Sequence, residues 1–288
     1  MTMSWALIIA TIGRSAELSQ LIATLAAQTD RDGAARSDLR VVIVDQNSDD
    51  RLLPIIAAAP AALCIERICI PPRGVSDARN AGLALLGDEA FVAFPDDDSF
   101  FESCTLARVE DAFAEVPDAG IVLGCLHRPE AALLLPTPHL SSALHRPSRI
   151  GMLKDAGMPM QFYRRAAAIA AGRFDITLGP GGGTPWLCGE DSDFLLAAVA
   201  ADYQVVRTPA VRVFHPPVDL GAAISAKAYG YGRGRMHLLR KHRYPWWFCI
   251  ASIVHPVTQA FMHPSTMVFR WNLFRGRLHE LILPHRLS

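Results

Sequence analysis

No GxGxxG follows the first apolar run of this 288-residue chain, and no GxxxxGK[ST] occurs anywhere in it. Dinucleotide enzymes and P-loop NTPases cradle phosphates on those glycine loops, so both classes are excluded. Paired cysteines are missing too. The six present, Cys64, Cys69, Cys104, Cys125, Cys188 and Cys249, are scattered, with no CxxC pair and no zinc spacing. Reduced thiols of a cytosolic protein are therefore expected, and disulfides are not. The amino end, MTMSWALIIATIGR, lacks a basic leader and has only six apolar residues before Thr11. That run is too short for a signal peptide or a membrane span and reads as a first strand. Acid is scarce in one region. Residues 220–288 carry ten Lys and Arg but a single acid, Glu280, whereas residues 1–219 carry 18 Lys and Arg and 27 Asp and Glu. Formal neutrality of the whole thus conceals a cationic tail.

The apolar content, 51%, is enough to bury a sizeable core. Apolar runs at 5–10, 41–44, 63–68, 91–94 and 121–126 read as strands, and helical patterns at 15–28, 75–86 and 104–115 lie between them. This alternation predicts an α/β fold with a mostly parallel, Rossmann-like sheet flanked by helices, whose ligands sit at the carboxyl ends of the strands. Regularity loosens beyond Leu126 into a Pro- and His-rich excursion, then returns at MPMQFYRR. Short strands are expected near 203–206 and 211–214, followed by a helix over about 222–242. The expected division is a catalytic domain over 1–220 and a basic, apolar helical extension over 221–288.

The most informative stretch is FVAFPDDD, residues 91–98, an apolar strand ending in Asp96, Asp97 and Asp98. Adjacent like charges repel, so their place beyond a buried strand suggests a cation, although a solvated turn is the plainer alternative. His215 follows a later strand. One or two of the aspartates with His215 suit Mg²⁺ or Mn²⁺ completed by diphosphate oxygens. A glycine run, Gly179 to Gly183, leads through Trp186 into GEDSD. Glu190 and Asp191 there would cap a helix, or one of them could serve as general base while Trp186 offers a flat face to a sugar ring or is simply core. Arg73 and Arg79, in PPRGVSDARNAG, could hold a diphosphate or make surface salt bridges. Thr11 and Arg14 follow the first strand. Asp45, after VVIV, could accept from a ribose hydroxyl or a base N–H, or begin a turn.

Taken in order, ATIGR, VVIVDQNS, GVSDARNAGL, FVAFPDDD, FDITLGPGGGTPWLCGEDSDF and a later strand ending in His215 resemble the family 2 glycosyltransferases, inverting enzymes of GT-A fold. The resemblance covers about residues 5–240. It implies a nucleoside-diphosphate sugar donor, with Thr11, Arg14, Asp45, Arg73, Arg79, Asp96 and Asp97 on the donor side. It also implies Asp98 and His215 around Mn²⁺ or Mg²⁺, and Asp191 as catalytic base with Glu190 beside it. The family often has an aromatic two residues after the early threonine; here that residue is Gly13. An inverting transfer to a glycan or lipid-linked acceptor follows, as in cell-surface glycan or glycolipid synthesis, with no nucleic-acid partner.

Two other readings use the same features. A sugar-nucleotide pyrophosphorylase would carry a Gly-rich basic motif after its first strand, which ATIGRSAEL is not. A catalytically silent nucleotide-sugar-binding scaffold would have incomplete acidic sites. In the tail, basic residues beside Trp246 and Trp247 suggest a membrane-proximal extension on the cytoplasmic face, peripheral rather than spanning. Burial against the catalytic domain or in a homodimer is the alternative.

Overall fold

A computed structural model of the chain describes residues 4–130, 144–153, 157–216 and 222–283. Most of the excursion after Leu126 lies outside these. The chain divides into two compact units. The first takes Met1–Pro72, Ala78–Arg173 and Phe194–Pro217, and the second takes Arg73–Asp77, Phe174–Asp193 and Val218–Ser288.

The first unit is an eight-stranded mixed sheet. Its strands are β1 Trp5–Thr11, β2 Leu39–Asp45, β3 Cys64–Cys69, β4 Phe91–Ala93, β5 Phe100–Phe101, β6 Ala119–His127, β7 Gln161–Arg164 and β8 Gln204–Phe214, in the spatial order β3-β2-β1-β4-β7-β6-β8-β5. Pairs β3–β2, β2–β1, β1–β4 and β6–β8 are parallel, whereas β7 runs antiparallel between β4 and β6, and β5 runs antiparallel to β8. The middles of the central strands, residues 5–10 of β1 and 41–44 of β2, are unbroken apolar runs because helices cover both faces. Leu7, Ile9, Val41 and Ile43 pack with Leu18, Leu21 and Leu25 of α1 (Ala16–Ala26) and Leu106, Val109 and Phe113 of α4 (Thr105–Glu115). α2 (Leu53–Ala57) is a short turn of helix. Ile8 and Val44 point the other way, toward α3 (Val75–Leu83), where a Cβ on Gly82 would stand 2.3 Å from the Ile8 side chain. Glycine at 82 is what lets that helix lie on the sheet. A small helix, α5 (Arg165–Ala171), follows β7.

The strands expected at 203–206 and 211–214 are one strand, β8. Leu123 pairs with Arg207 but Cys125 pairs with Arg212, so the extra β8 residues bulge out of the ladder. Pro209 lies in that excess, where its missing N–H leaves no pairing unmade.

The second unit contains three C-terminal helices: α7 (Ala222–Lys241), α8 (Trp246–Met262) and α9 (Met267–Ile282). It also takes the glycine-rich segment and the first turn of α6 (Glu190–Ala200).

Candidate functional site

Register builds the acidic centre. β1 lies between β2 and β4, so the chain direction across the sheet reverses there and leaves a crevice at the strand ends. Leu7 pairs with Ala93, and continuing that offset sets Asp97 beside Thr11, whose Oγ1 donates to Asp97 Oδ2 at 2.7 Å. Arg14 Nη1 donates to Asp97 Oδ1 at 2.6 Å and lies 2.7 Å from Asp98 Oδ2. The Asp96 carbonyl accepts from the Ser99 N–H and hydroxyl, closing the turn that holds three acids together. Buried Arg79 donates to Asp96 Oδ1 at 2.9 Å. Burial pushes the Asp97 carboxyl above its usual range, against the pull of Thr11 and Arg14. In Asp98 the same burial is outweighed by His215 and Arg14, and its carboxyl is held below the usual range.

His215 arrives through the shortest strand. Phe100 of β5 pairs antiparallel with Phe214, their rings stacked at 5.1 Å, so the next residue of β8 falls opposite the acidic turn. His215 Nε2 is 3.0 Å from Asp98 Oδ1, yet that buried oxygen accepts no hydrogen bond among the described residues. His215 Nδ1 is 2.6 Å from the Pro216 carbonyl oxygen. A carbonyl only accepts, so Nδ1 must carry the proton and Nε2 presents its lone pair toward the acids. Contact with Asp98 raises the imidazole's affinity for a second proton despite burial.

Asp96, Asp98 and His215 offer ligand atoms within 4.8 Å of one another. Two carboxylates and an imidazole with a fixed tautomer fit a divalent cation such as Mn²⁺ or Mg²⁺, which would take the place of a proton between Nε2 and Oδ1.

A cleft of about 620 Å³ opens beyond the ends of β1, β2 and β3, lined by Ile12, Gly13, Asn47, Arg51, Ile70 and Pro71 among others. Asp45, buried at the end of β2, braces Asn47 of that lining. One carboxylate oxygen accepts from the Asn47 backbone and side chain, and the other from Arg67 Nε at 2.8 Å. Gly13, with φ of +77°, donates its N–H to Asn47 Oδ1. Arg67, Asn47 and Arg51 were not among the residues singled out from sequence. A charge near the carboxyl end of a strand, in CIERIC, was the available signal for Arg67.

In the second unit the glycine segment folds against residues 73–77. Val75 N–H donates to the Pro180 carbonyl and Ser76 Oγ to that of Leu178. Gly179, Gly181 and Gly183 all have positive φ, and a Cβ on Gly181 would stand 2.8 Å from Gly74 Cα. A Cβ on Gly179 would meet the Glu190 carboxyl carbon at 2.9 Å. Arg73 belongs to this segment. Glu190, Asp191 and Asp193 all stand in the first turn of α6, and Asp193 is held by Lys241 Nζ at 2.9 Å and His242 Nε2 at 2.7 Å. Asp193 thus ties α6 to α7. One face of Trp186 is stacked on the His237 imidazole, with ring centroids 3.8 Å apart.

Three glycines within α7 set that packing, although each weakens an isolated helix by about 1 kcal/mol. Cβ atoms on Gly230 and Gly234 would meet Leu187 at 2.6 Å and the Cys188 carbonyl oxygen at 2.4 Å, while Gly232 abuts α9 at Gly276. The chain leading to Glu190 lies directly on a glycine-lined helix face. Gly234→Ala is expected to destabilise the protein by about 1–3 kcal/mol, since a backbone oxygen cannot rotate away. An unchanged urea midpoint would show that residues 187–189 do not rest on this face.

The fold is shared with solved glycosyltransferase structures at low identity. PcManGT, a mannosyltransferase from Pyrobaculum calidifontis determined with GDP-Man and Mn²⁺, matches at 15% identity over 98% of this chain and 88% of that one, with a TM-score of 0.67. S. aureus TarS 1-349 in complex with UDP matches at 15% identity over 96% and 92%, with a TM-score of 0.60. Against a longer TarS structure the chain covers 55% of that chain's length, at a TM-score of 0.61. No curated protein matches the chain. The model of glycosyl transferase family 2 matches residues 6–175, and the chain belongs to that family. The GT-A architecture expected from the ordered motifs is the one observed.

Proposed function

We propose that this protein is an inverting, metal-dependent glycosyltransferase that moves a sugar from a nucleoside-diphosphate sugar to an acceptor hydroxyl in cell-surface glycan or glycolipid synthesis. The observation that carries this reading is the Asp96, Asp98 and His215 group, set at the sheet's switch point in the same unit as the cleft beyond β1 to β3. Similar structures were solved with UDP, UDP-GlcNAc and GDP-Man with Mn²⁺, which supports a nucleotide-sugar donor.

The nucleoside occupies the cleft beside Ile12 and Gly13, with Asp45 organising its polar floor through Asn47 and Arg67. Thr11 and Arg14 hold Asp97 toward the ribose and donor sugar. Arg79 and Arg73 serve the diphosphate as cationic donors. A bound Mn²⁺ or Mg²⁺ held by Asp96, Asp98 and His215 would neutralise charge on the departing diphosphate. Asp191 takes the proton of the acceptor hydroxyl, which attacks the anomeric carbon from the face opposite the leaving group and inverts it. Glu190 stands beside it, and Trp186 offers its remaining face to the acceptor sugar. Transfer from a panel of nucleoside-diphosphate sugars, with Mn²⁺ present, tests the reading. Formation of sugar nucleotide from sugar phosphate instead would identify a pyrophosphorylase, and binding without turnover would identify a scaffold.

The second unit supports a peripheral site at the inner face of the cell membrane. Among the described residues no helix is long and apolar enough to cross a membrane. α8 and α9 nevertheless leave large apolar side chains in solvent, Trp246 and Phe261 at 77% and 79% exposure, with Trp247, Val268 and Trp271 also exposed. Aromatic rings amid a cationic tail suit an anionic lipid surface. Flotation with vesicles rich in phosphatidylglycerol is expected to carry the protein upward, and Trp246→Ser with Phe261→Ser to abolish this. Equal flotation with neutral vesicles would remove the charge argument.

A further inference from the structure

Arg14, Arg79 and His215 each reach an acid of the turn after β4, and they are held with unequal firmness. The Arg79 side chain is only 4% exposed where it donates to Asp96, so packing fixes it in place. His215 is fixed by its backbone N–H on the His127 carbonyl and by Nδ1 on the Pro216 carbonyl. Arg14 is different. Its side chain is 44% exposed, and it follows Gly13, where φ is +77° and nothing lies within 4 Å of a Cβ position. One nitrogen, Nη1, spans both of its acids, at 2.6 Å from Asp97 Oδ1 and 2.7 Å from Asp98 Oδ2. Nε and Nη2 make no hydrogen bond among the described residues.

The two acids depend on Arg14 to different degrees. Asp97 Oδ2 also accepts from the Thr11 hydroxyl at 2.7 Å, so Asp97 keeps a donor however the guanidinium turns. Asp98 has His215 Nε2 3.0 Å from its Oδ1, and that nitrogen presents a lone pair, so Arg14 supplies the cation beside its Oδ2. Asp98 is also one of the three groups that fit a divalent cation. A guanidinium and a dication draw on the same carboxylate charge and repel each other, so each weakens the other's hold on Asp98. A diphosphate resolves this conflict. Its oxygens accept a guanidinium fork in two parallel bonds, whereas Asp98 is met by a single nitrogen. Arg14 is also joined directly to Gly13, which lines the cleft beyond β1 to β3.

We propose that Arg14 is an exchangeable counter-charge: a donor diphosphate draws its guanidinium off Asp98 while Asp97 keeps its contact, and the charge released on Asp98 tightens the divalent cation. Donor and cation then bind cooperatively through one side chain. This deepens, and rests on, the reading of Asp96, Asp98 and His215 as a metal centre that serves a nucleoside-diphosphate donor. Arg14 opposes the ion alone and admits it together with the donor.

The test measures binding to the full chain by calorimetry, without turnover. Arg14→Met is expected to bind Mn²⁺ alone about fivefold or more tightly than wild type, and to bind UDP or GDP in EDTA about fivefold or more weakly, the scale of a coupling of this kind. Arg14→Gln, a milder change at a half-exposed position, is expected to shift both affinities in the same directions. Arg14→Lys, which keeps the charge, is expected to bind Mn²⁺ alone as wild type does. The factor by which UDP or GDP tightens Mn²⁺ should fall in Arg14→Met, because contact between phosphate and ion remains but the exchange is gone. Misfolding cannot mimic the main result, since it would lose the ion rather than tighten it. Mn²⁺ bound no more tightly by Arg14→Met and Arg14→Gln than by wild type overturns the counter-charge, and nucleotide bound equally tightly in EDTA overturns the exchange. Failure of wild type and all three variants to bind Mn²⁺, with or without nucleotide, overturns the metal centre itself, so failure of the parent reading is distinct from failure of the exchange.

Discussion

Asp191→Asn is expected to lower kcat for sugar transfer by about 10²–10⁴-fold while leaving donor affinity close to wild type. The amide keeps the volume and the helix-capping capacity of the carboxylate at the start of α6, so the fold has no reason to change. What it loses is the ability to take a proton from the acceptor hydroxyl. Glu190 is the internal comparison. Its carboxylate is buried and packed over Gly179, which leaves little room for an acceptor, so Glu190→Gln should act mainly through the placement of the glycine segment. Single-turnover transfer, with donor affinity measured by calorimetry, separates the two. Full turnover by Asp191→Asn removes it from the role of base.

Asp98→Ala is expected to abolish the Mn²⁺-dependent part of donor binding, a loss of at least about tenfold in affinity, the size of one charge-assisted contact. Two effects combine. A bound metal would lose a carboxylate, and Arg14 would lose its contact with Asp98 while keeping the one with Asp97. His215→Ala should weaken Mn²⁺ binding in the same direction but less, because an uncharged ligand is removed and the two carboxylates of Asp96 and Asp98 remain. Titration of UDP and GDP sugars with and without Mn²⁺ reads both. Donor binding that is equally tight in Asp98→Ala, with and without metal, would detach the acidic turn from the donor.

Much of this architecture is written in local pattern. The apolar-cored strands β1 and β2 and the amphipathic α1 and α4 lie within a few residues of the expected ranges, because each buries a face that its own sequence declares. The placement of Asp98 and His215 as neighbours was anticipated from the family's order of motifs, whereas the means of bringing them together was not. β5 is two phenylalanines long, below what periodicity can register, and its pairing with β8 is a contact between residues more than a hundred positions apart. The bulge in β8 was hidden for a related reason: Pro209 reads as a break between strands, and only the partner strand reveals a continuous ladder. The grouping of residues 174–193 with the C-terminal helices depends on glycines whose purpose, close approach to a segment elsewhere in the chain, leaves no periodic trace.

The pairing of Phe100 with Phe214 also restricts how this enzyme's descendants can vary. A single residue, Ser99, separates Asp98 from β5, and none separates Phe214 from His215. Inserting or deleting one residue on either side would slide the ladder by a step and exchange an imidazole for a phenyl ring opposite the acids. Natural length variation should therefore collect in other connections of the chain, and the spacing across this pair should stay constant wherever the chemistry is retained.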